Sequence, residues 1–507
     1  MARRRAPRKN MAGVSANAAS HLPARAPVLA PEPRFDLRHP RLVGLAGLVF
    51  GSLVVGAAAS RGLGAGLAAV LAVAGTLWAV RNPTAGAMAI VAIVPAVSGF
   101  KRGLPIPGFR LGELLAVGYS TMLLATSGRA QWRRWRAFDW LALGYVVATF
   151  GLGMLDTALR HDTLSGTDVG QLVGPLQFFL LYRAVLVALP RREDRVRALD
   201  WLLIGSVPVC VLTLLQAAHA PGVPALLVKL TGQDFSSRAS WAITRANGPF
   251  PHWTVLAAYL FAIVVLCAAL LLAGVNARRR RLVLAVMGLA AVCLVLTVTI
   301  APMIGALVGS LMLAWWYRRS GRVLAWLTAA AVLLGGAFQS LLSRRANDQF
   351  ATQASSNAGY SLVPHTVSNR VAIWVDQYLP ALRGRWLTGY GPQIPPEVTW
   401  RYTESVYISM VLRGGLPLLA LYGAMSWALA LVALGVARRP LPQPTGPHDA
   451  SVAEGARIER ALARGAVVLL VVLAVLQLTA PDFVTTGQPH VWWIVAALVI
   501  GAAAEER

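Results

Sequence analysis

The chain has 507 residues, of which 56% are hydrophobic and only 13% charged, with a formal net charge of +26 and a mean hydropathy of +0.59. Soluble domains carry nearer ~25% charged residues, so composition excludes an ordinary soluble enzyme. The pI is near 11.4, yet the basic residues border apolar runs rather than gathering on one polar domain. That distribution argues against nucleic acid as a partner.

In chain order, residues 1–40 are basic (Arg3, Arg4, Arg5, Arg8, Lys9) and rich in Pro and Ala. They lack the apolar core and cleavage site of a signal peptide and read as a disordered tail. Apolar runs long enough to cross a ~30 Å hydrocarbon core then recur. They predict spans near 41–59, 62–80, 84–100, 110–127, 138–155, 169–189, 198–218, 253–274, 281–299, 301–317, 322–340, 405–436, 463–480 and 488–504. The expectation is an all-α polytopic membrane protein of about 12–14 transmembrane helices with one large extracytoplasmic loop. The run at 405–436 is over-long, enough to begin as a helix outside the bilayer.

Alternate loops carry Arg129, Arg133, Arg134 and Arg136; Arg191, Arg192, Arg195 and Arg197; Arg278 to Arg281; Arg318, Arg319 and Arg322; and Arg438 and Arg439. With about fourteen spans, all these clusters fall on one side, which marks that side and both termini as cytoplasmic. The near-exclusive use of Arg over Lys points to a GC-rich coding sequence and a bacterial cytoplasmic membrane. Domain boundaries follow: a tail at 1–40, helices over 41–340, the large loop at 341–403, and C-terminal helices over 404–507 with a Pro-rich linker near 438–462. Cys210, Cys267 and Cys293 lie within predicted spans and form no CxxC pair, so neither a disulfide framework nor a zinc site is expected.

The two longest outer segments are both net positive. One, near 219–251, holds Lys229, Arg238 and Arg245. The large loop holds Arg344, Arg345, Arg370, Arg383, Arg385 and Arg401 against Asp348, Asp376 and Glu397. Arginine grips pyrophosphate through a planar fork of donors on a fixed charge. The plainer role for any one of these residues is a solvated loop drawn to anionic headgroups.

Several short patterns recur on this outer face: Arg245-Ala-Asn-Gly248-Pro-Phe250 entering Leu256-Ala-Ala-Tyr259; Arg370-Val-Ala-Ile-Trp374; Gly389-Tyr-Gly391; and Glu404-Ser-Val-Tyr407-Ile before Gly414-Gly415. In that order they resemble the motifs of the bacterial O-antigen ligase and O-antigen polymerase superfamily. The resemblance covers roughly residues 240–420. The chain departs from it where Glu404 replaces a histidine, where Thr299-Ile-Ala-Pro302 replaces a Ser-Arg pair, and where Pro251-His252-Trp253 replaces Asn-Pro-Asn.

The resemblance implies transfer or polymerisation of glycans from an undecaprenyl-diphosphate carrier to a glycan or lipid acceptor within membrane lipid. Such a transfer needs a base for the acceptor hydroxyl and stabilisation of the departing pyrophosphate. Glu404 is the candidate base, and Arg370 and Arg245 are the candidate clamps. Tyr407, His252, Arg401 and Trp374 are candidate substrate-binding residues. No metal or other cofactor is expected, because no Asp-x-Asp or histidine cluster is present.

Plainer roles are open beside these. Glu404 would pair with Arg401 or Arg413, Arg370 would cap the large-loop helix or pair with Asp376, Tyr407 would be a belt residue, and Trp374 would pack. Gly389 and Gly391 would serve a turn of positive φ. Asp156, His161, Asp162 and Asp168 form either an acceptor site or a solvated connection. A lipid-linked oligosaccharide flippase or polysaccharide exporter, and a non-catalytic scaffold binding cell-wall components, are the alternative classes. The near absence of charge within the spans, apart from Glu113, Arg183 and Asp200 near their ends, disfavours a transporter.

Overall fold

The computed structural model describes residues 63–103, 110–127, 135–160, 163–233, 245–319, 321, 333–350, 365–395, 397–399, 403–442, 446–479 and 487–505. The tail at 1–40, the first predicted span at 41–59, most of 322–340, and Arg401, His161 and Asp162 lie outside them. Among the described residues the protein is helical, with no strand. The helices are α1 (Leu63–Arg81), α2 (Pro83–Val97), α3 (Leu111–Thr126), α4 (Ala137–Arg160), α5 (Gly166–Ala188), α6 (Arg192–Ala217) and α7 (Val223–Thr231). After these come α8 (Trp253–Ala273), α9 (Ala277–Leu296), α10 (Ile300–Trp316), α11 (Gln339–Phe350) and α12 (His365–Ile373), then α13 (Val406–Ala437), α14 (Pro447–Leu476) and α15 (Gln488–Ala504).

By length and composition, Ala137–Arg160, Asp168–Ala188, Arg192–Ala217, Trp253–Ala273 and Val406–Ala437 are able to cross a membrane, and shorter apolar helices accompany them. The expected all-α polytopic membrane architecture is thus observed. Helix α8 is apolar on every face and buried along nearly its whole length, as a bundle's central helix is. Small residues let neighbouring helices close on one another. Gly309, for instance, lies where an added Cβ would stand 3.0 Å from Val265 and 3.3 Å from Val468.

Polar caps start several helices. Ser165 and Asp168 form a reciprocal capping box at α5, and Asn276 accepts from the Arg279 amide at 2.9 Å to start α9. The structure therefore uses Asp168 to cap a helix, and it buries Asp156 within α4. Of the polar group expected in that outer connection, His161 and Asp162 lie outside the described residues. From Pro447 onward, the segment expected as a linker near 438–462 is helical and belongs to α14.

Arginines of two of the basic clusters gather with acidic partners at one end of the bundle. Arg192 and Arg195 both reach Glu459, at 2.9 and 2.6 Å, and Arg195 also pairs with Glu505. Arg279 binds Asp200 at 2.8 Å and Glu454 at 3.2 Å. Arg183 pairs with buried Asp139 at 2.6 Å. The charges noted near span ends thus become ion pairs, which lowers the cost of holding them beside apolar helices. The opposite end carries the loops that bear the motifs.

Candidate active site at the loop end of the bundle

The site is built around a break in helix α13. Gly414 (φ −160°, ψ 24°) and Gly415 (φ 66°, ψ −169°) are non-helical, and Pro417 follows within the same helix. A break frees backbone groups that must find partners inside a bundle. The large loop supplies them. The Tyr390 amide donates to the Leu412 carbonyl at 2.5 Å, and the Leu416 amide donates to the Trp386 carbonyl at 2.7 Å.

Such close docking requires bare α-carbons. A Cβ on Gly389 would strike the Leu412 and Val411 carbonyls, and one on Gly415 would strike the Leu387 carbonyl. Both residues also have positive φ, as does Gly391 at 67°. The Gly-x-Gly turn and the glycine pair, far apart in sequence, are two halves of one joint. The expectation of a positive-φ turn at Gly389 and Gly391 holds, and its reason is the kink it clasps.

A second joint ties the same loop to helix α4. Arg385 reaches Asp156 at 2.7 Å, and Arg160 reaches it at 2.9 Å. Arg160 also donates to the Tyr390 carbonyl at 2.6 Å. The Arg385 guanidinium lies 4.9 Å from the Tyr390 ring centroid, close enough for a cation–π contact. Sequence reading placed Arg385 and Asp156 in separate groups, and only the fold joins them.

On this platform α12 continues through a π turn, Trp374–Tyr378, a feature common at functional sites. Arg370, near the end of α12, holds Glu404. Its Nη2 is 3.1 Å and its Nε 3.2 Å from the same oxygen, Oε2. Oε1 makes no hydrogen bond among the described residues. Both side chains are 24% exposed, so the pair opens to solvent. Arg370 thus pairs with Glu404 instead of Asp376. Arg413, the other expected partner of Glu404, donates to Gln171 at 3.1 Å.

Glu404 has φ +54°, a left-handed conformation that costs a non-glycine residue roughly 1–3 kcal/mol and clusters at functional sites. Its neighbours on both sides are pinned. The Thr403 carbonyl accepts from Trp374 Nε1 at 2.8 Å, and the Thr403 hydroxyl meets Ser409 at 2.7 Å. The Val406 amide donates to the Gln477 carbonyl at 3.0 Å. Trp374 is therefore a strut for the segment that carries Glu404, in line with its packing role. Tyr378, fully buried one turn further on, lies within the electrostatic reach of this carboxylate. Burial, and then the Glu404 charge, pushes its phenol up to about 12.

Arg245 belongs to a second cluster at the same end. It is buried, its guanidinium sits 5.0 Å from the Trp253 ring centroid, and it donates to the Val298 carbonyl at 3.4 Å. Val298 itself has φ +50°, a strained state for a β-branched residue. His252 stacks on Trp253 with ring centroids 3.9 Å apart, and its Nδ1 accepts from the Thr254 amide at 3.3 Å to cap α8.

Gln216, which sequence reading missed, organises this motif. Its Oε1 accepts from the Gly248 amide at 2.8 Å, and its Nε2 donates to Asn247 Oδ1 at 2.6 Å. The visible signal was a lone amide at the polar end of an apolar run. Tyr407, expected to orient the acceptor, donates its hydroxyl to the Ala474 carbonyl at 2.6 Å and ties α13 to α14.

The fold and site define a polytopic helical membrane protein whose polar loops converge on a broken helix at one end. Residues 285–423 match the family model described as O-Antigen ligase. The match takes in Arg370, Gly389, Gly391, Glu404 and the glycine pair, and it begins after Arg245. Over this part of the chain the match supports the resemblance to the O-antigen ligase/polymerase superfamily. No curated protein matches the chain.

Proposed function

We propose that the protein is an inverting, metal-independent glycosyltransferase. It transfers or polymerises glycans from a polyprenyl-diphosphate carrier on the outer face of a bacterial cytoplasmic membrane. The observation that carries this reading is the Arg370–Glu404 pair, partly open, with the carboxylate on a strained and pinned backbone inside the family-matched stretch.

One guanidinium and one carboxylate suit the two demands of the reaction. Arg370 is held by a single carboxylate oxygen and keeps its Nη1 edge for a diphosphate oxygen. As diphosphate draws the guanidinium away, Glu404 is released to take the acceptor hydroxyl proton. The acceptor oxygen then attacks the anomeric carbon, and the bond to the diphosphate oxygen breaks with its electron pair leaving on the carrier. Arg370 balances that charge, a role preorganised donors fill well. Arg245, stacked on Trp253, is the second clamp. Arg401 and His252 remain proposed contacts to substrate.

Deletion of the protein in its native cell tests this reading. Lipid-linked glycan should accumulate, as long chains if the missing step is ligation or as single repeat units if it is polymerisation. An unchanged pool of lipid-linked intermediates contradicts the proposal.

A further inference from the structure

At the end of the bundle opposite the motif-bearing loops, helix α14 sorts its charges by face. Glu454 reaches Arg279 of α9, and Glu459 reaches Arg192 and Arg195 of α6. Arg457, Arg460 and Arg464 lie on successive turns of a single face of the same helix. Arg457 is occupied, since it donates to the Gly274 carbonyl at 3.2 Å.

The other two arginines sit where α10 and α13 end. The Arg464 guanidinium lies 5.5 Å from the Trp316 ring centroid and 4.4 Å from that of Tyr317. Its Nε is buried without a hydrogen-bond partner. Arg460 donates to the Arg439 carbonyl at 3.2 Å, and Arg439 donates to the Ala502 carbonyl at 2.8 Å. Trp316 packs against the cluster of Val436, Ala437, Ala463 and Ala502. These contacts make one continuous patch. Its edge is the turn after Tyr317, where Arg318 has φ +52°. The Arg318 amide donates to the Trp315 carbonyl at 3.0 Å, and the Arg319 amide to the Ala314 carbonyl at 2.9 Å. Glycine is the usual residue at such a helix end; here the position holds an exposed arginine, followed by another.

Among the described residues no carboxylate pairs with Arg318, Arg319, Arg460 or Arg464. Asp200, Glu454, Glu459 and Glu505 are taken by Arg192, Arg195 and Arg279. Like charges one turn apart, as at Arg460 and Arg464, repel, so the patch calls for an anion from outside the chain.

We infer that Arg318, Arg319, Arg460 and Arg464 hold the phosphate headgroup of an anionic phospholipid in the leaflet at this end of the bundle. Guanidinium forks suit phosphodiester oxygens, and basic pockets between membrane helices attract such headgroups. Two features favour a lipid over free phosphate. Arg464 falls within the predicted span 463–480, where a charge needs a partner beside apolar helices. Trp315, at the same helix end, is 78% exposed, as suits a side chain placed where headgroups meet acyl chains. The inference is independent of the transfer reaction proposed for Arg370 and Glu404.

The test uses the full chain in detergent micelles. Retention of phosphatidylglycerol against phosphatidylcholine is read by native mass spectrometry, and inorganic phosphate is titrated separately by calorimetry. The wild type should prefer phosphatidylglycerol by about tenfold or more. The double variant Arg460→Gln, Arg464→Gln should lose that preference. The double variant Arg318→Gln, Arg319→Gln, at exposed positions with little folding risk, should weaken it. Arg197→Gln, at an exposed position of the same end that pairs with Glu193, should behave as the wild type does. Equal retention of the two lipids by the wild type overturns the inference, as does undiminished preference in both double variants. Equal loss in Arg197→Gln also overturns it, because the attraction would then belong to the whole basic end. Binding of inorganic phosphate without lipid preference would replace the lipid with a free anion.

Discussion

Glu404 gives one oxygen to Arg370, while the other makes no hydrogen bond among the described residues, and its proposed function rests on that division. Glu404→Gln keeps the shape but loses the proton acceptor. Turnover should fall about 10²–10⁴-fold, with donor binding retained because the arginines supply it. Glu404→His restores the ligase-like residue, and partial activity is expected since imidazole accepts a proton near neutral pH. Arg370→Lys keeps the charge but loses the fork, so activity should collapse while membrane insertion stays normal. Equal rates in wild type and lysine variant would assign pyrophosphate binding elsewhere.

Tyr378 offers a pH test. Its phenol ionises near 12 when folded against an ordinary 10.0, so between these values the folded state binds more protons than the unfolded one. Its contribution to stability is therefore full below pH about 10 and declines as pH rises toward 12. Thermal unfolding in detergent should show a shallower alkaline decline in Tyr378→Phe than in the wild type. The candidates Glu404 and Arg370 were legible in sequence, because the motif spacing singled them out. Their mutual pairing was not, since residues 34 apart meet only once α12 and the start of α13 have packed. Tyr378 and Gln216 were missed for the same reason.

At the scale of elements, apolar run length foretold the helices well. The run expected at 253–274 became Trp253–Ala273, and the over-long run at 405–436 became Val406–Ala437. That excess length proved to be a broken helix, because loop backbone completes the hydrogen bonds of the break at Leu412 and Leu416. Hydropathy carries no trace of such a joint; the glycines and Pro417 do. Gly389→Ala should therefore lower the midpoint of thermal unfolding sharply and abolish activity, by steric conflict together with the cost of positive φ. Gly423→Ala on the same helix meets open space and should leave both unchanged, or slightly raise stability by favouring helix. Similar behaviour of the two variants in a melting assay would argue against the clasp. Asp156→Ala should cost on the order of 3 kcal/mol, because it leaves Arg160 and Arg385 without their shared carboxylate. A chemical denaturation series would measure it.

For the whole molecule, the separation of paired basic clusters from motif-bearing loops follows the arginine pattern read from sequence. A cysteine placed at Ser356 should be labelled by an impermeant reagent in intact cells, and one at Ser451 should not. The reverse pattern would turn the proposed site to the wrong side of the membrane. The central claim is that this end of the bundle cleaves the bond between a glycan and its lipid-diphosphate carrier to move the glycan. It is tested most directly by purified protein in proteoliposomes, given a polyprenyl-diphosphate-linked glycan and an acceptor in the presence of a chelator, with release of polyprenyl diphosphate as the readout. The account predicts release that is stoichiometric with glycan transfer, and its loss in Arg370→Lys and Glu404→Gln. Donor that crosses the bilayer intact, without release of polyprenyl diphosphate, would contradict it.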